Sequence, residues 1–245
     1  MLIGFSEIYE NTEILSPIDR QTWETIGNTA RLGSESRVVE LASGKGAFAL
    51  YLAKKFGSKI DCFDCNRQFV EHAIRRANEL GLSSHVSYSV QYVEHLVLRH
   101  DKYDLGVCLG SLYLFREKGW KVLTKNVKAR GFFAVSDIFC KKSPPPREVS
   151  AIFFEEEEGP NTLDELREWY TSRGVAILRE EECSRKAWLQ YYDLMDQQLQ
   201  TLARRYKSDP KRRFEIGEAS KEASVFRKHG EEYIGYITFI MQKGI

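Results

Sequence analysis

The segment between Val38 and Asp64 constrains the fold more than any other part of the sequence, because it sets two strands and a helix around a glycine turn. The stretch RVVELA predicts a short strand, and KIDCFD predicts a second one. Between them, AFALYLAKKF has the periodicity of a helix, and Gly57 is placed to end it. Since parallel strands need a crossover of this kind, the segment predicts a β-α-β unit with Gly44 and Gly46 in its first turn.

The same alternation continues along the chain. Asn66 is placed to cap a second helix, which the strand HVSYSV follows. YDLGVCLG and GFFAVSDIF predict buried strands on either side of the amphipathic helix KGWKVLTKNVK. A leading helix is expected to start at Ser16-Pro17 and to end near Gly33. This alternation predicts an α/β fold, a three-layer αβα sandwich with a mostly parallel sheet.

The pattern changes after Ser143, where three prolines interrupt regular structure. A capping box, Thr162-Leu163-Asp164-Glu165, predicts a helix that ends at Gly174, and VAILREEE predicts a strand. Helical sequence then runs from about 186 to 207 and resumes after Pro210, before the closing strand EEYIGYITFIMQ. For 245 residues we expect one domain over 1–245, with a core at 16–142 and a helical insert at about 143–165 and 186–230.

Charge and cysteine content narrow the classes of partner. The 36 Lys and Arg residues nearly balance the 35 Asp and Glu residues, so no global charge attracts nucleic acid or an acidic membrane. No apolar run approaches the ~20 residues of a membrane span, and the opening lacks a secretion signal, so a cytoplasmic location is expected. Cys62 and Cys65 form a C-x-x-C, but no second pair or suitable histidine spacing accompanies them. We predict reduced thiols and no metal.

The glycine turn and one carboxylate indicate a ligand with a ribose. A helix N-terminus behind a glycine turn offers unpaired N–H groups to a ligand that approaches bare backbone. Asp64 ends the second strand about twenty residues after Gly44, where a carboxylate can accept both ribose hydroxyls. The segment from Gly44 to Ala49 also satisfies the loose dinucleotide pattern G-x-G-x-x-G/A. An adenosine-type ligand is therefore predicted, and its class depends on a further residue.

Glu40 is that residue, since it lies on the first strand just before the turn. A carboxylate there would repel the phosphates of a dinucleotide, and if it were buried it would cost several kcal/mol unless paired. S-adenosylmethionine carries a sulfonium and an ammonium but no phosphate, so its charges suit Glu40. The alternative for Glu40 is a structural one, in which its carboxylate caps N–H groups of the turn.

VVELASGKG followed by IDCFDCN resembles motif I and the acidic post-motif of class I, Rossmann-like S-adenosylmethionine-dependent methyltransferases. The resemblance implies a seven-stranded sheet of order 3-2-1-4-5-7-6 with an antiparallel last strand. The layout after residue 186 is similar to uncharacterised bacterial small-molecule methyltransferases, whose extra segments close over the substrate. Tyr92 stands where the family often has an aspartate for the adenine, so Gln91 or backbone must serve there. The implied cofactor site comprises Glu40, Ala42, Ser43, Gly44, Gly46, Asp64, Cys65, Asn66, Gln91, Tyr92, Val93 and Gly110.

The sequence indicates less about the methyl acceptor than about the methyl donor. The fourth strand ends in LGSLYLF, without the N/D-P-P-Y/F tetrapeptide of amino-methylating nucleic-acid enzymes, and no Pro-Cys pair follows it. A small-molecule acceptor is therefore expected. Asp137, at the end of the fifth strand, is the candidate base or substrate anchor, with a helix cap as its alternative. The candidate substrate contacts are Ser111, Trp188, Tyr191 and Tyr192, although aromatic residues in a helix can equally pack a core.

Two other functions use the same glycine turn. An NAD(P)-dependent oxidoreductase would bind a dinucleotide there, and a non-catalytic protein could bind S-adenosylmethionine without transferring its methyl group. A thiol or metalloid acceptor is a further alternative, because soft ligands such as the thiols of Cys108, Cys140 and Cys183 suit soft substrates. Packing in the core explains the presence of small cysteines as well. The sequence leaves open the acceptor, the methylated atom and the oligomeric state.

Overall fold

The computed structural model describes residues 4–97, 101–154 and 162–244. Seven strands form its single sheet. They are β1 (Arg37–Leu41), β2 (Lys59–Asp64), β3 (Val86–Val90), β4 (Tyr103–Leu109), β5 (Val127–Cys140), β6 (Val175–Glu182) and β7 (Ile234–Lys243). The strand order is β3-β2-β1-β4-β5-β7-β6. Strands β1 to β5 pair in parallel, whereas β7 runs antiparallel to both of its neighbours. The predicted sheet order and the antiparallel last strand are both confirmed.

Nine α-helices lie within the described residues. They are α1 (Phe5–Ile8), α2 (Arg20–Thr29), α3 (Ala47–Phe56), α4 (Arg67–Glu79), α5 (Arg116–Asn126), α6 (Arg147–Phe153), α7 (Leu163–Thr171), α8 (Arg185–Arg205) and α9 (Pro210–Tyr233). Helix α3 and strand β2 occupy the residues predicted for them, because a glycine with positive φ bounds α3 at each end. The predicted capping box of α7 is also present.

Buried apolar side chains form one cluster on each face of the sheet, because neighbouring residues of a strand point to opposite faces. Val38 and Ala134 belong to the first cluster, which packs α2, α3, α8 and α9 against the sheet. Val39 and Val135 belong to the second, which packs α5 and α7 against the other face. Helices on both faces confirm the three-layer sandwich.

The leading helix starts later than predicted. Helix α2 begins at Arg20, and its N-cap residue Asp19 makes no side-chain cap bond. Both carboxylate oxygens of Asp19 instead accept hydrogen bonds from Ser184, one from its backbone N–H and one from its hydroxyl, each at 2.9 Å. The residues predicted to start the helix, Ser16 and Pro17, line cavities described below. A contact distant in sequence thus decides where α2 begins.

The C-terminal insert packs over the first face of the sheet. Helices α8 and α9 lie side by side, and the ring of Trp188 stacks on that of Phe226 at 4.4 Å between centroids. The N-terminal segment is held against α8, since the side-chain amide of Gln198 donates to the carbonyl of Glu7 at 2.7 Å. Residues 155–161 of the predicted insert lie outside the described residues.

Candidate functional site

The turn after β1 has an unusual backbone. Ala42, Gly44 and Gly46 all have positive φ, at 52°, 53° and 75°. A Cβ on Gly46 would overlap the hydroxyl and ring of Tyr88, so glycine is required there for space as well as for φ. A Cβ on Gly44 would meet only the end of the flexible Leu15 side chain, so glycine is favoured there by φ. Gly46 precedes helix α3, whose N-terminus therefore sits directly behind the turn.

A cavity of about 250 Å³ opens beside this turn. It lies at the carboxyl ends of β1, β2 and β4, which is where parallel sheets bind their ligands. Its walls come from the glycine turn, the strand ends, the N-terminal segment and α8 and α9. The lining residues used below are Tyr9, Glu13, Leu15, Ser16, Trp23, Glu40, Ala42, Ser43, Gly44, Lys45, Asp64, Gly110, Ser111, Tyr113, Tyr191 and Glu222.

Asp64 closes the end of β2 and holds the glycine turn. One carboxylate oxygen accepts a hydrogen bond from the backbone N–H of Gly44, and the other accepts one from the backbone N–H of Asn66, each at 2.8 Å. Burial raises the pKa of Asp64, and these two hydrogen bonds oppose the rise. Each oxygen keeps a second lone pair, so the carboxylate can still accept hydroxyl groups of a ligand.

Glu40 is buried on the first face of the sheet, with 4% of its surface exposed. Within the described residues its carboxylate receives one hydrogen bond, from the Cys62 thiol at 3.8 Å, and no cation pairs with it. Burial is the main reason that the pKa of Glu40 is raised to about 8, and the nearby Asp64 adds to the rise. The structural alternative for Glu40 is wrong, because Asp64 caps the N–H of the turn.

Two other buried polar atoms on lining residues lack hydrogen-bond partners in the described structure. They are the hydroxyl of Ser43 and the indole N–H of Trp23. A buried polar group without a partner is costly, so such groups mark places where a bound molecule completes the site. Together with Glu40, Asp64 and the bare backbone at Gly44, they fit a ligand with a positive charge and several hydroxyl or amino groups.

Lys45 is a residue of the turn that was not singled out from the sequence. Its ammonium donates to the carbonyls of Tyr9 and Glu10, at 2.6 and 2.9 Å. These bonds draw the N-terminal segment over the cavity, where the hydroxyls of Tyr9 and Tyr191 lie 2.5 Å apart. Burial raises the pKa of Tyr9 to about 12. The residues around Lys45 gave no local signal for this contact, because helix α2 and strand β1 separate Lys45 from Tyr9 and Glu10 in the sequence.

A second cavity of about 130 Å³ adjoins the first. The two share the side chains that separate them, namely Leu15, Ser16, Tyr113, Tyr191 and Glu222, together with Gly110. Of the predicted substrate residues, Ser111 lines the first cavity, Trp188 the second and Tyr191 both. Tyr192 lines neither, and its hydroxyl donates to Glu222 at 2.8 Å. Glu222 itself was missed, because the charged helix around it gives no sequence signal.

Asp137 lies away from both cavities. It is fully buried on the second face of the sheet, where the Arg116 guanidinium lies 3.1 Å from one carboxylate oxygen. The hydroxyl of Tyr170 donates to the other oxygen. Burial raises the pKa of Asp137, and Arg116 and Tyr170 oppose the rise. Strand alternation explains the position, since Ile138 turns to the second cavity and Asp137 must turn the other way.

The remaining predicted cofactor residues do not line the cavity. Asn66 caps α4 by accepting from the backbone N–H groups of Gln68 and Phe69. The backbone N–H of Gln91 donates to the carbonyl of Asp64. Tyr92 is 60% exposed, whereas Val93 is buried in the second cluster. The other two are Cys65, which is exposed, and Gly46, which starts α3.

The other cysteines have structural surroundings. Cys62 and Cys108 are buried in strands, and burial holds the pKa of both thiols well above the usual range. Cys140 is also buried, and the Cys183 thiol donates to the carbonyl of Ser184. Across the described ranges, no three His, Cys, Asp or Glu side chains come together as metal ligands do. None of the helices in these ranges has the length and apolar character that crossing a membrane requires.

The chain is similar to several known proteins. Residues 38–130 match a family model described as a methyltransferase domain. The uncharacterised protein YjhP of Escherichia coli (strain K12) is 24% identical over 139 residues, which span 56% of each protein. The structure of an S-adenosylmethionine-dependent methyltransferase from Geobacter sulfurreducens, in complex with S-adenosylhomocysteine, has a TM-score of 0.85 at 19% identity, covering 97% of this chain and 96% of that one. The structure of an S-adenosylmethionine-dependent methyltransferase from Thiobacillus denitrificans, also in complex with S-adenosylhomocysteine, has a TM-score of 0.83 at 22% identity. That likeness covers 98% of this chain and 99% of the other.

The matched segment begins on β1 and contains the glycine turn, Glu40 and Asp64. The structural likeness covers the whole sheet and both layers of helices. Residues 38–130 therefore match a methyltransferase domain, and the chain has the fold of the class I S-adenosylmethionine-dependent methyltransferases.

Proposed function

We propose that this protein transfers a methyl group from S-adenosylmethionine to a small-molecule acceptor. The observation that carries the proposal is Glu40, a carboxylate that is 4% exposed, lines the cavity and has no cationic partner among the described residues. A buried carboxylate of this kind is stabilised by a cationic ligand and destabilised by an anionic one. The methyltransferase domain matched at residues 38–130 supports the same conclusion.

The same residue argues against a dinucleotide. A pyrophosphate at the glycine turn would bring negative charge close to Glu40 and Asp64, both of which line the cavity. Lys45 is the basic residue of the lining, and its ammonium is held by two backbone carbonyls rather than pointing to a free anion. An NAD(P)-dependent oxidoreductase therefore has poor electrostatic support at this turn.

Four residues would hold the cofactor. Asp64 would accept the ribose hydroxyls, Glu40 would balance the positive charge, and the Ser43 hydroxyl and the Gly44 backbone would complete the polar contacts. When bound, S-adenosylmethionine supplies a methyl group already activated by its sulfonium. The protein has to align the acceptor with that group and to exclude water. The N-terminal segment, α8 and α9, which form walls of the cavity, would exclude the water.

The acceptor would occupy the second cavity. This cavity is small, about 130 Å³, and shares its boundary residues with the first, so a molecule in it would lie next to the cofactor. Trp188 and Tyr236 line it, and such aromatic walls suit a small organic molecule. We assign the described parts of the predicted insert as the cover of this cavity, since Phe153, Trp188 and Glu222 line it. The near-neutral charge of the chain supports a small molecule over a nucleic acid.

Turnover tests the proposal. The purified protein is incubated with S-adenosylmethionine labelled in its methyl group and with amines, thiols, phenols and carboxylates in separate reactions. We expect release of S-adenosylhomocysteine and a labelled product with at least one acceptor, and no oxidation of NADH or NADPH in parallel assays. Binding of the cofactor without turnover of any acceptor would leave a non-catalytic binding protein, and nicotinamide oxidation would support the oxidoreductase.

A further inference from the structure

A partly buried carboxylate lies where the two cavities meet. Glu222, on α9, lines both of them, and so do Tyr113 and Tyr191. Resting on the proposed function, we propose that the methyl acceptor is a small amine that binds as a cation, and that Glu222 anchors it and takes its proton. The proposal names the substrate class and a catalytic residue of that same site.

The contacts of Glu222 leave one oxygen for a ligand. One carboxylate oxygen accepts the hydroxyl of Tyr192 at 2.8 Å, and no described residue donates to the other. The nearest basic residues along α9 are engaged elsewhere. Lys221 pairs with Glu218 at 2.7 Å, and Arg227 pairs with Asp193 and Asp196 at 2.8 and 2.7 Å. Burial raises the pKa of Glu222, which agrees with a carboxylate that lacks a cation.

Aromatic side chains line the same cavities as Glu222. Tyr113 and Tyr191 line both cavities beside Glu222, and Trp188 and Tyr236 continue the wall of the second. The electron-rich faces of such rings attract a cation and pack against an apolar substituent. A carboxylate among aromatic rings therefore matches an ammonium group carried on a short apolar body.

The charges that line the two adjoining cavities also favour a cationic acceptor. Glu40, Asp64 and Glu222 line them without an ion pair to any described cation, whereas the Glu13 carboxylate lies 3.2 Å from a ring nitrogen of His72. The ammonium of Lys45 is bound by two carbonyls. An anionic acceptor would add a further negative charge to this space, and a cationic one would lower the repulsion among the carboxylates.

The step that follows balances in atoms and charge. The ammonium of the acceptor gives a proton to Glu222, and its nitrogen regains a lone pair. That lone pair forms the new N–C bond to the methyl carbon while the S–C bond of the donor breaks and its electron pair stays on sulfur. The products are a methylated ammonium and S-adenosylhomocysteine. The proton on Glu222 then leaves to solvent, so each turnover releases one proton.

Binding to the protein loaded with S-adenosylhomocysteine tests the charge preference without requiring turnover. Benzylamine, benzyl alcohol and benzoate have similar shapes and carry a positive, a zero and a negative charge at pH 7. By calorimetry we expect benzylamine to bind at least about tenfold more tightly than the alcohol, and benzoate to bind least, because a charged hydrogen bond is worth one to two decades in affinity. Equal affinities, or a preference for benzoate, would overturn the proposal.

Glu222→Gln tests the residue itself. We expect the variant to lose about tenfold to a hundredfold in benzylamine affinity and to bind S-adenosylhomocysteine as the wild type does. Glu218→Gln, one turn earlier on α9 and exposed, is the matched control and should change neither affinity. If Glu222→Gln keeps the full preference for benzylamine, Glu222 is not the anchor.

Turnover separates this proposal from the proposed function. With labelled S-adenosylmethionine and a set of alkyl and aryl amines, we expect methylated amines from the wild type and a loss of at least about a hundredfold in kcat for Glu222→Gln, which keeps shape but cannot take the proton. Methylation of neutral or anionic acceptors only would overturn the amine proposal and leave methyl transfer standing. No binding of S-adenosylmethionine at all would instead overturn the proposed function.

Discussion

Glu40 and Asp137 are both buried carboxylates, but they lie on opposite faces of the sheet and have opposite surroundings. Asp137 is paired with Arg116 at 3.1 Å and accepts the Tyr170 hydroxyl. Glu40 has the Cys62 thiol as its hydrogen-bond donor within the described chain, and its pKa is raised to about 8. Asp137 also lies outside the cavities, whereas Glu40 lines one.

Pairing with a cation separates a structural buried acid from a functional one. The charge of a buried carboxylate with its own cation is balanced within the fold, and removing the carboxylate leaves that cation unpaired. A buried carboxylate without a cation destabilises the free protein, and a ligand of opposite charge relieves the cost. On this account Asp137 contributes to stability, and Glu40 contributes to binding at the expense of stability.

Asp137→Ala should destabilise the protein strongly. We expect the free energy of unfolding to fall by about 3–5 kcal/mol, because the buried Arg116 loses its partner. Affinity for S-adenosylmethionine should change by no more than about twofold, since the two sites lie on opposite faces. Denaturant unfolding and calorimetry measure the two quantities. Glu24→Gln, in an exposed pair with Lys55 at 3.2 Å, is the control, with an expected loss of about 0.5 kcal/mol or less.

The opposite outcome would reverse the roles of the two acids. If Asp137→Ala unfolds like the wild type and methyl transfer is lost, Asp137 is the catalytic residue that the sequence suggested.

Glu40→Gln should stabilise the free protein at alkaline pH. The pKa of Glu40 is raised from 4.5 to about 8, so between these values the folded state holds a proton that the unfolded chain has released. This acid therefore lowers the free energy of unfolding as pH rises through that window, and the loss is complete above about 8. We expect the variant to exceed the wild type by an amount that grows from pH 5 to 8, on the order of 2–4 kcal/mol.

Unfolding by denaturant at pH 5, 6, 7 and 8 measures this difference, with Glu24→Gln as the control for loss of an exposed acid. A constant difference across the four values would mean that Glu40 is already ionised in the free protein.

Asp64→Ala should weaken cofactor binding by about 1.5–3 kcal/mol, or one to two decades in affinity, because the ribose loses hydrogen bonds to a charged acceptor. The glycine turn also loses the acceptor for its Gly44 N–H. Titration calorimetry with S-adenosylmethionine measures the loss. Asp61→Asn is the control on the same strand, since Asp61 pairs with Lys102 at 2.7 Å and lines neither cavity. Equal affinity of Asp64→Ala and wild type would remove the ribose role.

Lys45→Met keeps the apolar stem of the side chain and removes the ammonium. The carbonyls of Tyr9 and Glu10 lose their donor, so we expect a loss of about 1 kcal/mol in cofactor affinity. Amide hydrogen exchange of residues 4–16 should quicken in the variant. Lys55→Met, on the exposed end of α3, is the control. Unchanged exchange would show that Lys45 does not hold the N-terminal segment.

The sequence predicted the β-α-β unit well, because its signals are local. Apolar periodicity and the glycines at positive φ are enough to define α3 and β2, and the capping box is enough to start α7. The positions of Glu40 and Asp64 near the ends of their strands could be predicted from the same unit. Ala42 adopts a positive φ that no sequence rule for a non-glycine residue would give.

Other parts of the site depend on contacts between distant segments. The side of the sheet that Asp137 faces is fixed by strand register and by which face carries α8 and α9, and neither is visible in the residues around it. Glu222 reaches the cavities because the long helix α9 crosses the first face of the sheet. The hydrogen bond from the Lys45 ammonium to the Tyr9 carbonyl also joins segments that are distant in the sequence. Helix α2 also starts late because Asp19 bonds to Ser184.

Proton release on cofactor binding measures whether Glu40 is the acid that a cationic cofactor ionises. Glu40 is mostly protonated at pH 7 if its pKa is about 8, and a cationic ligand must lower that pKa. S-adenosylmethionine titrated at pH 7 in two buffers of different ionisation enthalpy should bind one to one and release protons, and Glu40→Gln should lose affinity and most of that release. Binding of NAD⁺ in place of S-adenosylmethionine, or cofactor binding with the same affinity and proton release in Glu40→Gln, would contradict the account.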